Sequence, residues 1–211
     1  MPPTTQTRER IIDAAMDLFA YQGYGPTGLS EIAKAAGAQP GSLYHFFPTK
    51  EDLLRAVLER RKKLLWPEVL QPIWDRVDDP IERVFALLDG YRKMLHVTEF
   101  SHGCPIGNLA IELTESHPNS RELMAENFDN WLKGVAECFR EAANRLPSDA
   151  DPQRLAIFVL TTMEGAVMLA RTYRNFKAYD AAVATLRDYV ERLIQSETEW
   201  GAGRRRRATR N

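Results

Sequence analysis

Gln39, Ser42, Tyr44 and His45 fall within seven residues of the stretch LSEIAKAAGAQPGSLYHFFPTK, from Leu29 to Lys50, and no acidic residue lies between Ile32 and Lys50. These side chains carry donors and acceptors suited to base edges and phosphate oxygens, and nothing among them repels a polyanion. The chemistry on offer is recognition rather than bond-making. For His45 a solvated surface histidine is the competing reading.

The neighbouring residues show how such a face would be held. Ile32 and Ala33 form one apolar edge, Gly37 supplies a residue able to take positive φ, and Leu43, Phe46 and Phe47 form a second edge. This pattern predicts two short helices packed steeply across a tight turn, with Ala33 small because the second helix crosses it. Upstream, Thr7 is the expected N-cap of a supporting helix carrying Ile11, Ala15, Leu18 and Phe19 and ending at Gly23. Arg8 and Arg10, near its start, read equally as phosphate contacts or solvated charge. Downstream, Thr49-Lys50-Glu51 opens a long helix through Leu53, Leu54, Val57, Leu58 and Leu65, which Pro67 and Pro72 then disturb.

The run GLSEIAKAAGAQPGSLYHFFPTKEDLLRAVL, with RERIIDAAMDLFAYQGY before it, resembles the DNA-binding domain of the TetR family of bacterial transcriptional regulators. The resemblance covers roughly the first 60 residues and links four elements in order. It implies an all-α fold: a three-helix helix-turn-helix domain over residues 1–65 and a helical ligand-binding and dimerisation domain over 66–203. A basic, disordered tail is expected over 204–211. The resemblance also implies base-edge contacts from Gln39, Pro40, Gly41 and Ser42, and backbone or phosphate contacts from Tyr44, His45 and Lys50. Gly28 stands where a capping Ser or Thr is expected, and Thr27 is the candidate to replace the lost phosphate contact.

Charge is divided along the chain. Residues 1–63 hold 9 Lys+Arg against 7 Asp+Glu, residues 64–203 hold 14 against 22, and the last eight hold five arginines and no acid. So small an excess at the N-terminal end leaves geometry, not bulk charge, to carry nucleic-acid binding. No leader-like apolar segment and no bilayer-length apolar run is present, so a cytoplasmic protein with no membrane partner is expected. Cys104 and Cys138 form no ligand-spaced pair.

Past Pro80 the periodicity is helical throughout. A helix from Asp151 to Tyr173 is apolar on two sides, with Leu155, Phe158, Val159, Thr162, Ala166 and Leu169 lining one and Ile157, Leu160, Val167 and Met168 the other. Together with a helix from Asp180 to Gln195 it meets the needs of a four-helix homodimer interface, the pairing that the resemblance implies. Satisfaction of both faces within one chain is the alternative. The remaining helices are expected to enclose a small-molecule inducer of unknown identity. Tyr91, Met94, Phe128, Trp131 and Met163 are the wall candidates and Asn108 or Glu112 the polar contact; plain core packing competes for each. Cys104, beside a helix start and near His102, reads either as a packed thiol or as a sensor of electrophiles or oxidants.

No cofactor or metal is expected. The four histidines lack His-x-x-x-His spacing, and there is no glycine-rich phosphate loop, nucleophile elbow or paired-carboxylate motif, which weighs against a helical enzyme. An architectural DNA-binding protein without a ligand is the other alternative to a ligand-responsive repressor on a palindromic operator.

Overall fold

A computed structural model describes residues 4–113 and 115–208, with side chains through Gln195. The helices are α1 (Thr5–Gln22), α2 (Leu29–Ala35), α3 (Pro40–Phe46), α4 (Lys50–Leu64), α5 (Gln71–Trp74), α6 (Pro80–Val97), α7 (Pro105–Leu113), α8 (Pro118–Glu141), α9 (Pro152–Tyr173) and α10 (Lys177–Ala208). The described residues contain no strand, as the all-α expectation requires.

Local chemistry sets most boundaries. Thr4, not Thr7, caps α1, its hydroxyl accepting from the Thr7 amide at 3.3 Å; the apolar stripe marked that helix, but the residues before it did not fix where it begins. At Gly23 (φ 91°) α1 stops. α4 opens with a capping box in which Thr49 and Asp52 satisfy each other's amides at 3.0 and 3.1 Å. Pro67 has no amide hydrogen for the helical ladder, and the chain answers with a π-helical turn over Leu65–Leu70. Pro118 takes the first position of α8. α10 runs on through Ala208, so the backbone of Arg204 to Arg207 continues a helix where an unstructured tail was expected. No proline intervenes to stop it. The side chains after Gln195, and residues 209–211, lie outside the described residues.

The chain gathers into two compact units, Met1–Glu68 with Thr98–Asn130, and Val69–Val97 with Trp131–Asn211. In the first, Ile11, Ile12, Ala15 and Phe19 of α1 are buried together with Ile32, Leu43, Phe47, Leu53, Leu54 and Leu58. Asn127 of α8 is buried there too, its amide donating to the Leu58 and Leu123 carbonyls at 3.1 and 2.8 Å. A buried amide donor left unpaired would cost about 1–3 kcal/mol, so these bonds fix the register of α8 on α4.

In the second unit the core is built by Val84, Leu87 and Leu88 of α6, Val135 and Phe139 of α8, Val159, Met163 and Ala166 of α9, and Leu186 and Val190 of α10. The Tyr179 hydroxyl donates to the Leu88 carbonyl at 2.6 Å, and burial pushes its pKa well above the usual phenol value. Two arginine forks reinforce the same contact: Arg92 meets Asp180 at 2.7 and 3.0 Å, and Arg187 meets Glu82 at 2.7 and 3.0 Å. Cys138 is fully buried, and desolvation drives its thiol up to about 12, so it is an apolar core side chain with no thiolate chemistry.

The two-sided reading of α9 holds with changed membership. Leu155, Ala156, Val159, Met163, Ala166, Val167 and Ala170 face inward, while Ile157, Phe158, Met168 and Leu169 stay exposed. Phe158 and Leu169 thus join Ile157 and Met168, and Val167 crosses to the core. Of the described helices, α9 alone has the length and composition to cross a bilayer. Its inward face is packed as a core helix.

Candidate nucleic-acid interface

The turn between α2 and α3 is set by Gly37 at φ 58°, where the Ala38 amide reaches back to the Ala33 carbonyl at 2.9 Å. This is a left-handed helix stop, and a residue with a Cβ would be strained at that φ. Gln39 then caps α3 and Pro40 takes the first helical position, where a missing amide hydrogen costs nothing. Leu43 and the following Phe47 are buried, which turns the opposite face of α3 outward.

That outer face carries the expected recognition residues. Gln39, Pro40, Gly41, Tyr44 and His45 are exposed and Ser42 is half-buried. Tyr44 keeps 55% of its surface in solvent, a high figure for an aromatic residue on a helix held by its other face. His45 lies edge-on to Phe46.

Two other candidates sit elsewhere. Thr27 is only 1% exposed, and its hydroxyl donates to the Gly23 carbonyl at 2.6 Å while accepting from Gln22 at 3.2 Å. It therefore builds the turn before α2 and is turned away from any phosphate; its burial follows from the tight Gly23 turn, which brings that carbonyl within reach. Gly28 caps α2 without a side chain, as its sequence demands. Lys50 points its ammonium at the Tyr24 and Gly25 carbonyls and lies 4.2 Å from the centre of the Tyr24 ring. Burial lowers its pKa, and the charge of Glu112 works against that shift.

The residues expected to line a ligand cavity divide between the two units. Cys104, Asn108, Glu112 and Phe128 belong to the first, and Tyr91, Met94, Trp131 and Met163 to the second. Glu112 is exposed and spends both carboxylate oxygens on backbone amides, Tyr24 at 2.8 Å and Gly25 at 2.5 Å. Asn108, one turn earlier, donates to the Ala20 carbonyl at 3.5 Å. Cys104 is buried, its sulfur accepting from the Gly107 amide at 3.5 Å, and His102 is held by Ser101 at 2.8 Å. Trp131 is 4% exposed, and among the described residues its indole nitrogen has no acceptor; Met163 is fully buried. A hollow of about 500 Å³ lies in the second unit, walled by Asp149, Arg154, Phe158 and Tyr189 among others, and contains none of the expected ligand residues. Sequence spacing carried no sign of it, because its walls come from distant parts of the chain.

Residues 11–57 match the description "Bacterial regulatory proteins, tetR family", and residues 80–186 match "Tetracyclin repressor-like, C-terminal domain". The chain belongs to the TetR family. This TetR-family chain is 31% identical to the uncharacterized HTH-type transcriptional regulator YxaF of Bacillus subtilis, over 80% of its own length and 87% of that protein. It is 26% identical to the HTH-type transcriptional repressor DhaR of Mycobacterium sp., over 83% and 88% of the two chains. The crystal structure of regulatory protein TetR from Rhodobacter sphaeroides has the same fold, with a TM-score of 0.79 at 26% identity, covering 86% of this chain and 97% of that one. TetR-family membership makes the chain a DNA-binding transcriptional regulator.

Proposed function

We propose that this protein is a ligand-responsive repressor that binds a palindromic operator as a homodimer in the cytoplasm and is released by a small-molecule inducer. The observation that carries the reading is the outer face of α3, where Gln39, Ser42 and Tyr44 stand in a stretch without acidic residues. Such a face fits a major groove, with residues at the start of the helix on base edges and Tyr44 and His45 on the backbone. In this reading residues 1–65 meet DNA and 66–203 serve ligand binding and dimerisation.

Reading a palindrome needs a second copy about 34 Å away. Support for that copy comes from the outward stripe of α9, where Ile157, Phe158, Met168 and Leu169 are 45%, 42%, 54% and 36% exposed, with Tyr189 of α10 at 44%. Pairing with the same stripe would cover apolar surface that is otherwise left in water. The inducer is held in the helical body, where the buried indole N–H of Trp131 offers it a donor and Met163 an apolar contact. It binds the form in which the two copies of α4 are splayed, so the recognition helices lose their match to the operator. Similarity to the transcriptional repressor DhaR supports repression over activation.

The test is selection of bound fragments from random DNA, repeated with a panel of small molecules. A single enriched palindrome, lost from the bound pool with one compound, is the expected result. Uniform recovery of all fragments, or no compound that changes recovery, would overturn the reading.

A further inference from the structure

The turn that launches α2 is held from outside by two helices distant in sequence. On one side the Glu112 carboxylate of α7 accepts from the Tyr24 and Gly25 amides at 2.8 and 2.5 Å. On the other, the Lys50 ammonium at the head of α4 takes the carbonyls of the same two residues. Both peptide units are thus gripped by opposite charges on opposite sides, and charge-assisted bonds of this kind are roughly twice as strong as neutral ones. The grip is close: a Cβ added at Gly25 would lie 2.8 Å from a Glu112 oxygen. Inside the turn, Thr27 ties back to Gly23, and the Tyr24 ring stands edge-on to His117 at 5.1 Å. Asn108, four residues before Glu112 on the same face of α7, reaches the last turn of α1.

We infer that Glu112 is a positioning residue for operator recognition, the side chain through which α7 sets the pose of α2 and hence of the α3 reading face packed on it. This rests on the regulator reading given above. A shift of α7 along its axis would draw the Tyr24-Gly25 peptide with it, and α2 starts only four residues later. Glu112 is therefore spent on the DNA-reading unit, and its role differs from the ligand contact its position in the chain suggested.

The experiment uses the full chain with Glu112→Gln and Glu112→Ala, and reads amide hydrogen exchange residue by residue alongside operator affinity. In the parent protein the Tyr24 and Gly25 amides should exchange slowly. In Glu112→Ala both should lose at least about tenfold protection while the α6, α9 and α10 amides keep theirs, and operator affinity should fall about tenfold, equivalent to about 1.4 kcal/mol. Glu112→Gln, which retains one acceptor oxygen, should fall between. Unchanged exchange at Tyr24 and Gly25 would overturn the contact itself. Lost protection with unchanged operator affinity would overturn the positioning role. If Glu112→Ala fails to fold, Glu112→Gln and the parent exchange rates decide the same points. A parent protein that selects no DNA sequence sinks the regulator reading and the positioning role together, whereas the exchange rates still judge the contact.

Discussion

Gly165 offers a sharp test of the proposed homodimer. It lies on α9 between Thr161 and Met168, in line with the outward stripe, and a Cβ built there meets no atom within 4 Å in its own subunit. Within one subunit the Cβ of Gly165→Glu therefore meets no clash, and replacing a mid-helix glycine by a good helix former stabilises the helix by about half a kcal/mol. In a dimer that pairs the stripes, the same change brings two carboxylates into the seam. Packed helices lie about 8–10 Å apart, and two unit charges about 8 Å apart at an effective dielectric of about 20 repel by about 2 kcal/mol. That alone weakens association about 30-fold, and desolvation of the carboxylates adds to it. Sedimentation equilibrium across a concentration series, with far-UV circular dichroism as the fold control, would show a dimer converted to a folded monomer. A Gly165→Glu protein that stays dimeric within about threefold of the parent constant would refute the assignment of this face.

Further outcomes follow from particular contacts. Tyr44→Ala should reduce operator affinity about tenfold in fluorescence anisotropy and leave the melting temperature where it was, because the ring is 55% exposed; a drop in melting temperature of several degrees would instead mark it as a packing residue. Tyr179→Phe removes a buried hydrogen bond to Leu88 and should lower stability by about 1–2 kcal/mol, or the melting temperature by about 4 °C; no change would show that the hydroxyl contributes nothing there. The Arg92 fork holds the Asp180 carboxyl below its ordinary pKa, so its stabilisation is complete above the unfolded value of about 3.9 and is lost as pH falls through the lower folded value. The melting-temperature gap between the parent and Asp180→Asn should therefore be open at pH 7 and close towards pH 3, and a gap that widens in acid would reverse the argument.

The helix-turn-helix geometry was legible because its determinants are local. Gly37 at positive φ, Leu43 and Phe47 buried, and Tyr44 exposed all follow from types and spacings within a dozen residues. The body was legible as helices for the same reason, since apolar residues at helical spacing need no partner to be recognised. What escaped depends on contacts between distant positions. Glu112 lies 87 and 88 residues from the amides it holds, and nothing in IGNLAIEL distinguishes a carboxylate bound for a turn in α1–α2 from one facing a ligand. The intramolecular partners of Thr27 and Lys50 escaped on the same ground: a hydroxyl and an ammonium near α3 look free until the carbonyls of Gly23, Tyr24 and Gly25 are seen to converge on them. On α9 both apolar sides were visible, but Phe158 and Val167 changed places because a stripe more than 100° wide leaves the boundary residues undetermined.

Gly41 stands exposed in the first turn of α3, its backbone in ordinary territory and the volume beside it open to 4 Å. Its neighbour Pro40 likewise brings no donor. In the proposed reading, hydrogen-bonding groups at the start of this helix come from Gln39 and Ser42, and Pro40 and Gly41 offer a base edge only apolar contact or close approach. A blank place is also a writable one: a Cβ introduced at 41 meets no atom of the subunit, so under the proposed reading this position could take a new base-reading group without repacking the turn beneath it.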